Sequence, residues 1–539
     1  MRRSLDPWAQ FKAMAIPLPE RLRVVPPDLR TADPTVAEEI RHGYFSFDGK
    51  TVAAQGQSLF ALRPPTAAWR RSLAGFAWLR HMRAADNEFA REAARALVAQ
   101  FLALRKPEAG DPAFEPAVAA RRLMAFLAHA PMLLNGAEAD SYQEFLRDLQ
   151  REARAVYSAL IAWRVSGADR LLCAIALTEY SICAGSGATI QTAAMRLLGK
   201  EIERQILRDG GHIGRNPGAL VDFLLDMLPL RQVYSARGLH PPEALLRAID
   251  RMIPMLRMMQ HGDGALALFH GMSATPQDQL ATVLSHDDSS RTAPAKAPFS
   301  GYQRLDVDDA LILVDCGLPP PPEFSARAHA SALAFEFSLG LERVVVNCGA
   351  PAANDAAREL ARTTAAHSTL SLGERSSCRF APFDGGADAG CIVEGPTKVT
   401  IERRQAKSGE VLDMTHNGYL RAFGLVHERE LAMTRDGARF IGEDRLIGAG
   451  ASGRSDPVPF HIRFHLHPRV QASKAEDGKV IELLLANGDK LLFSAVGLEP
   501  QLEESIFFAA PEGARRCRQI VLSGTAEPGL KARWVFRRM

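Results

Sequence analysis

Hydrophobic spacing changes once along the chain, and the change divides it. From Trp69 to about His261, apolar residues recur at intervals of three and four, as in WRRSLAGFAWLRHMRAA, NEFAREAARALVAQFLALR, PAVAARRLMAFLAHAPMLL, SYQEFLRDLQREARAVYSALIAWR and GALVDFLLDMLPLRQVYSARG. Lys106-Pro107, Gly110-Asp111-Pro112 and Asn135-Gly136 interrupt that spacing and mark helix ends. Amphipathic helices joined by short turns must pair to bury their stripes, which predicts an α-hairpin array or a ring of helices. Later the period becomes two: ALILVDCG, SALAFEFSLG, RVVVNCG, CIVEGPTKVTIERRQ, HERELAMTRDGARFIGEDRLIG, FHIRFHLHP, KVIELLLANGDKLLFSAVG and RQIVLSG read as antiparallel strands separated by Gly, Asn or Asp turns. So many short strands predict a two-layer β-sandwich. The Ser-, Thr-, Asp- and Pro-rich stretch 271–297 reads as the linker. The Pro-rich start reads as an irregular arm, with short strands in HGYFSFDGKTV and SLFALRPP. The expected organisation is an arm at 1–65, a helical domain at 66–270, a linker at 271–297 and a sandwich at 298–539.

Composition narrows the class. A chain of 539 residues with 47% hydrophobic and 24% charged positions can bury large cores without staples. Lys+Arg 65 against Asp+Glu 62 gives a net charge of +3, too balanced to argue for nucleic acid. The run Arg515-Arg516-Cys517-Arg518 is short enough to be a solvated edge. Seven scattered cysteines without a C-x-x-C pair suit reduced, individually buried thiols. In MRRSLDPWAQFKAMAIPLPERL the basic start is followed by Asp6, Lys12 and prolines where a secretory signal needs an apolar core, so a cytoplasmic location is expected; a different start codon would leave the periplasm open. No run of about 18 apolar residues occurs, so no membrane span is expected.

The chemistry concentrates in RAHASALAFEFSLGLERVVVNCGAPAANDAARELARTTAAHSTL, from Arg327 to Leu370. One strand is expected to carry His329 in and leave through Leu333, Phe335 and Phe337; a second delivers Asn347 beside Cys348-Gly349; a third segment presents His367. AHASALAFEF, VVVNCG and AAHSTL together resemble the signature of the heparinase II/III-like polysaccharide lyases, and FHIRFHLHPRV and HGYFSFDGK resemble further blocks of bacterial members. The resemblance implies an incomplete (α/α) toroid followed by an antiparallel β-sandwich, and so selects the ring of helices. It also implies a structural zinc on His329, Asn347 and His367. Asn347 stands where the family has a metal Asp, Ser331 where an H-x-H-x-D run has its Asp, and Arg327 where the catalytic His would be. A carboxamide adds no charge to a zinc site, so the implied zinc is weakly held or absent.

A lyase of this kind must take a proton from C5 of a uronic acid, neutralise the carboxylate and protonate the leaving oxygen. ILRDGGHIGRNPGAL resembles the family's DGG-centred loop and offers His212, Arg215 and Asn216, although a structural turn explains the same residues. The family's Tyr and upstream Asn-His pair are missing at the matching positions. Tyr234 is a replacement acid/base candidate, with a core role as its plainer account. Arg327 can hold a uronate carboxylate bidentately or serve as an edge charge. Tyr419 and His427, with His416, can line the same cleft or belong to a turn and strand. His461, His465 and His467 alternate along a strand and read as part-exposed residues paired with carboxylates; HGDGALALFHG reads as a helix-ending turn. Two functions follow: β-elimination on an acidic polysaccharide or oligosaccharide, with His212, Asn216, Tyr234 and Arg327 catalytic and Arg215, Tyr419 and His427 on substrate; or a catalytically degenerate glycan-binding or scaffold protein on the same fold.

Overall fold

A computed structural model describes residues 7–104, 110–287, 292–351, 355–383, 386, 388–407, 409–449, 458–476 and 478–539. The chain forms two compact units that interleave in sequence. One comprises Met1–Ile206, Val221–Asp250 and Asp278–His286; the other comprises Leu207–Leu220, Arg251–Gln277 and Asp287–Met539.

The first unit is helical. Its helices begin where a side chain can satisfy a free amide: Thr66 accepts from Trp69 N and Asn87 from Ala90 N. Pro116–Leu134 packs on Ala139–Ile161 and Ala168–Cys183, and the last of these packs on Ala188–Gln205. Pro116–Leu134 is long and apolar enough to cross a membrane, but 67% of its apolar window is buried inside the protein. The N-terminal stretch is more regular than its prolines suggest. It contains helices Pro7–Met14 and Pro34–Arg41 and a hairpin pairing Tyr44–Phe47 with Lys50–Ala53. Asp48 and Gly49, both at positive φ, make the two-residue hairpin turn. SLFALRPP holds a 3-10 turn at Leu59–Ala61 where a strand was expected.

The second unit is a sandwich of two sheets. One runs in the order Val399–Ala406, Gly409–His416, Leu425–Thr434, Arg439–Gly448, Lys531–Arg538, Lys490–Val496, Val480–Leu484 and Gln471–Lys474. The other runs Gln501–Phe507, Arg515–Ala526, Val458–Leu466, Glu342–Val346, Phe335–Leu339, Ala310–Asp315, Tyr302–Val307 and Lys296–Ala297, with Leu370–Leu372 beside Val458–Leu466. The inward positions of both sheets make one core, in which Phe335 stacks on Trp534 at 5.6 Å and Phe464 meets Trp534 edge-on at 4.8 Å.

The unit boundaries differ from those expected at 270 and 297. Leu207–Leu220 and Arg251–Gln277 belong with the sandwich, and 271–297 contains a helix, Gln277–Leu284. The reason is polar. These segments carry the partners of carboxylates buried in the sheet, and a hydrophobic period does not register such pairs.

Within the core, Arg429 and Asp444 are fully buried and face each other across neighbouring strands. Arg429 reaches Asp444 with Nε at 2.7 Å and Nη2 at 3.1 Å, and its Nη1 donates at 2.9 Å to both Leu333 O and Ser368 O. Asp444 also accepts from Trp534 Nε1 at 2.9 Å. Breaking such a pair leaves a buried charge uncompensated. Asp444→Asn is expected to cost about 3–5 kcal/mol of unfolding free energy, measured by chemical denaturation; a loss below about 1 kcal/mol would show that the pair is not needed.

Candidate functional site

The DGG loop is fixed to the sandwich by its own residues. Asp209 accepts from Phe299 N at 2.8 Å, Ser300 N at 2.7 Å and Ser300 Oγ at 2.6 Å. Gly210, at φ 90°, and Gly211 leave no room for a Cβ against Arg251 O and Ser300 Oγ. The turn then places Arg215, at φ 62°, into the sandwich. Its guanidinium donates to Ser300 O at 2.7 Å, Leu318 O at 3.1 Å and Gly301 O at 3.1 Å, and forms an ion pair with Asp315; Tyr302 Oη donates to its carbonyl. Every arm of Arg215 is engaged and buried, so it is a structural cation and not the substrate ligand expected from the sequence.

Asp315 is the centre of this network. Besides Arg215 it meets His270 Nε2 at 2.9 Å, Ser331 Oγ at 2.6 Å and Gly317 N at 3.2 Å. Burial alone would raise its carboxyl, but Arg215 and His270 hold it well below the usual carboxylate range. Ser331 stands where the family run has an Asp, and the charge at that place comes instead from Asp315. A second carboxylate, Glu336, accepts from Asn347 N at 2.9 Å, Asn347 Nδ2 at 3.1 Å and Leu268 N at 3.2 Å, and pairs with His261 Nε2 at 2.8 Å. His261 Nδ1 lies 3.0 Å from Ser338 Oγ. The segment HGDGALALFHG is therefore more than a helix-ending turn: its two histidines cover the two buried carboxylates.

His329 and His367 do come together, though from loops. His329 lies in the connection before Phe335–Leu339 and His367 follows a 3-10 turn at Thr364–Ala366, which corrects the strand expected to carry His329. His367 Nδ1 donates to Thr363 O at 2.7 Å, so its Nε2 accepts; the proton between it and His329 Nδ1, 3.0 Å away, then belongs to His329. This tautomer leaves a lone pair on His329 Nε2. Burial lowers His367 to about 4 and His329 well below its ordinary value, so both rings are neutral.

These residues do not fit the implied zinc. Two imidazole nitrogens on one tetrahedral zinc stand about 3.3 Å apart with the metal between them, whereas here a hydrogen bond joins them. Asn347 Oδ1 accepts from Ser368 N at 3.0 Å and its nitrogen is spent on Glu336, so the protein's own groups already hold this side chain. Among the described residues no group of three His, Cys, Asp or Glu side chains could hold a metal.

The other expected site residues divide sharply. His212 is buried, accepts from Gly214 N at 3.0 Å, lies edge-on to Phe324 and is lowered by burial to about 4. Tyr234, in the helical unit, is buried; its hydroxyl has no hydrogen-bond partner among the described residues, and burial raises the phenol further. Tyr419 is a core residue donating to Leu370 O at 2.9 Å. His427 is fully buried between Asp444, at 2.7 Å, and His416, at 3.1 Å. Tyr419 and His427 are therefore not substrate ligands. His465 and His467 are buried too, and among the described residues no carboxylate hydrogen-bonds to either: His465 contacts Ser505 Oγ at 2.8 Å and Ala365 O at 3.0 Å, and His467 lies edge-on to Phe507.

What faces outward is Arg327, exposed, and Asn216, half-buried. They meet at Gly271, where a Cβ would lie 3.4 Å from Arg327 Cβ and 3.5 Å from Asn216 Nδ2. Asn216 Oδ1 caps Gly218 N at 2.8 Å, but its nitrogen and the Arg327 guanidinium have no hydrogen-bond partner among the described residues.

A sequence profile of the heparinase II/III-like C-terminal domain matches residues 289–535. The crystal structure of heparinase III superposes with a TM-score of 0.71 over 92% of this chain and 80% of that one, at 12% identity. The chain belongs to the heparinase II/III-like family. A heparan sulfate lyase HepC mutant from Pedobacter heparinus superposes with a TM-score of 0.66 over 98% of this chain and 87% of its own, at 15% identity. FtsZ-localized protein C of Caulobacter vibrioides (strain NA1000 / CB15N) is 31% identical over 536 residues, 97% of this chain and 91% of that protein. At these identities the lyase structures establish the shared fold: a helical N-terminal part followed by an antiparallel β-sandwich.

Sequence reasoning missed Asp315, His270, His261 and Glu336. A signal for the first was present: LILVDCG and VVVNCG end in the same way, with Asp315 and Asn347 each preceding Cys-Gly. Buried neutral histidines also set a pH dependence. Each takes up a proton near pH 6.5 when unfolded, whereas His212 and His367 do so at about 4 when folded. The unfolded state therefore binds more protons between those values, and stability falls as pH falls. From pH 7 to pH 5 the two are expected to remove about 2–4 kcal/mol, before most carboxylates are protonated; denaturation curves that coincide at the two pH values would contradict this.

Proposed function

We propose that the chain is a binding protein built on a lyase fold, recognising the carboxylate and hydroxyl groups of an acidic polysaccharide or oligosaccharide through Arg327 and Asn216, with β-elimination lost. One observation carries this reading: the expected proton carriers His212 and Tyr234 are buried, while Arg327 and Asn216 present donors without partners. A binding protein needs only such donors, whereas a lyase needs a base that reaches the C5 proton. The likeness over 97% of the chain to an FtsZ-localized protein also supports a recognition role.

Arg327→Ala is expected to weaken binding to an acidic oligosaccharide by about 1.5–3 kcal/mol, the range of a hydrogen bond to a charged group, as read by calorimetric titration. Unchanged affinity would remove Arg327 from the site.

A second reading rests on His329 Nε2, whose lone pair is left open by the tautomer that His367 and Thr363 impose. A neutral, oriented imidazole is a competent base, and the reaction would then survive without His212. Purified protein incubated with a panel of uronic-acid polymers is expected to yield no unsaturated product by ultraviolet absorbance. Product that disappears in His329→Ala and persists in His212→Ala would establish the second reading in place of the first.

A further inference from the structure

The helical unit contains a small chamber with more charge than its own pairs account for. Its walls come from Pro26–Arg30 and from helices Leu79–Ala85, Pro116–Leu134, Ala168–Cys183 and Pro217–Ala236. Arg121 holds Asp226 with two parallel bonds, of 2.7 and 3.0 Å, and Arg30 adds a third at 2.7 Å. Arg80 Nε donates to Asp28 at 3.0 Å, and His129 Nε2 lies 3.4 Å from the same carboxylate. Both aspartates are ionised: burial would raise them, but the arginines around Asp226, and His129 and Arg80 around Asp28, hold them below the usual range. Three permanent cations thus face two anions.

Two groups in the chamber are left over. The terminal nitrogens of Arg80 have no hydrogen-bond partner among the described residues. Glu179 lines the same chamber, is 1% exposed, and its carboxyl likewise has no partner there. Burial raises that carboxyl well above its ordinary value, which favours the protonated form, a donor. A cation with free N–H edges, lining the same chamber as a carboxyl that has no partner among the described residues, is complementary to an anion that accepts two bonds. Size limits the anion further. The cavity is about 30 Å³, and a water-sized group needs about 10–15 Å³, so the space suits the two oxygens of one carboxylate. Pro26, Ala77, Met124 and Pro229 make the rest of the lining largely apolar, which suits a short alkyl body.

We propose that this chamber binds the carboxylate of a small organic acid, held by the Arg80 guanidinium and the Glu179 carboxyl. The site is separate from Arg327 and Asn216 and does not depend on the glycan reading.

The full-length protein is titrated calorimetrically with sodium acetate, ionic strength being held constant with sodium chloride. Saturable binding at one site is expected, with acetate raising the melting temperature more than chloride does. Glu179→Gln keeps a donor at the same position and is expected to bind within threefold of the natural protein. Arg80→Met is expected to bind at least tenfold more weakly. Should that variant not fold, Arg80→Lys, which keeps the charge and loses the planar fork, carries the same expectation. Glucuronate, whose carboxylate is fixed to a ring, is expected to bind at least tenfold more weakly than acetate. Absence of saturable acetate binding in the natural protein, acetate affinity unchanged on replacing Arg80, or glucuronate binding as tight as acetate would each overturn the proposal.

Discussion

A carboxylate can be taken out of water only where cations and donors replace its hydration, and Asp315 imposes that requirement on the sandwich unit. Meeting it draws Arg215 out of the helical stretch of sequence, turns His270 into the sheet at φ 47°, and sets the Ser331 hydroxyl. Glu336 makes the same demand one strand away, and His261, Asn347 and the Leu268 amide answer it. The positive φ of Arg215, His270 and Leu333 is then intelligible. Each lies where a backbone turn must be held, and each is tied into a buried polar network through its side chain or, for Leu333, through a carbonyl bonded by Arg429.

The same constraint explains what the sequence disclosed. Periods of 3.6 and two follow from burying apolar faces, so the helices and most strands were legible, including short strands in HGYFSFDGKTV. The division of the chain was not, because it follows hydrogen bonds to two carboxylates and not a change in apolar spacing. In AFEF, an acidic residue between two core phenylalanines reads as solvent-facing; Glu336 is fully buried because Leu268 and His261 cover that side of the strand. For the site, proximity of His329 and His367 was legible through family resemblance. Their hydrogen bond, and the inward commitment of Asn347, depend on neighbours that no local motif specifies.

On the reading proposed above, family membership and family chemistry separate in this chain. The sandwich retains histidines at two positions where relatives hold metal, yet a ring-to-ring hydrogen bond does the orienting. The DGG loop retains its glycines, yet its arginine is consumed in holding the loop in place. Arg327 and Asn216 face outward as a pair of donors, and donors alone recognise anions without moving protons.

Interleaving also bears on synthesis. Arg215 leaves the ribosome 100 residues ahead of Asp315, which at about 5–20 residues per second is a delay of roughly 5–20 s. During that interval the DGG loop carries a cation with no counter-ion and a helix, Pro217–Ala236, already able to form behind it. The loop cannot close its ion pair until the strand ending in Asp315 arrives. The order of emergence thus makes one early segment of the sandwich unit wait for the rest of that unit.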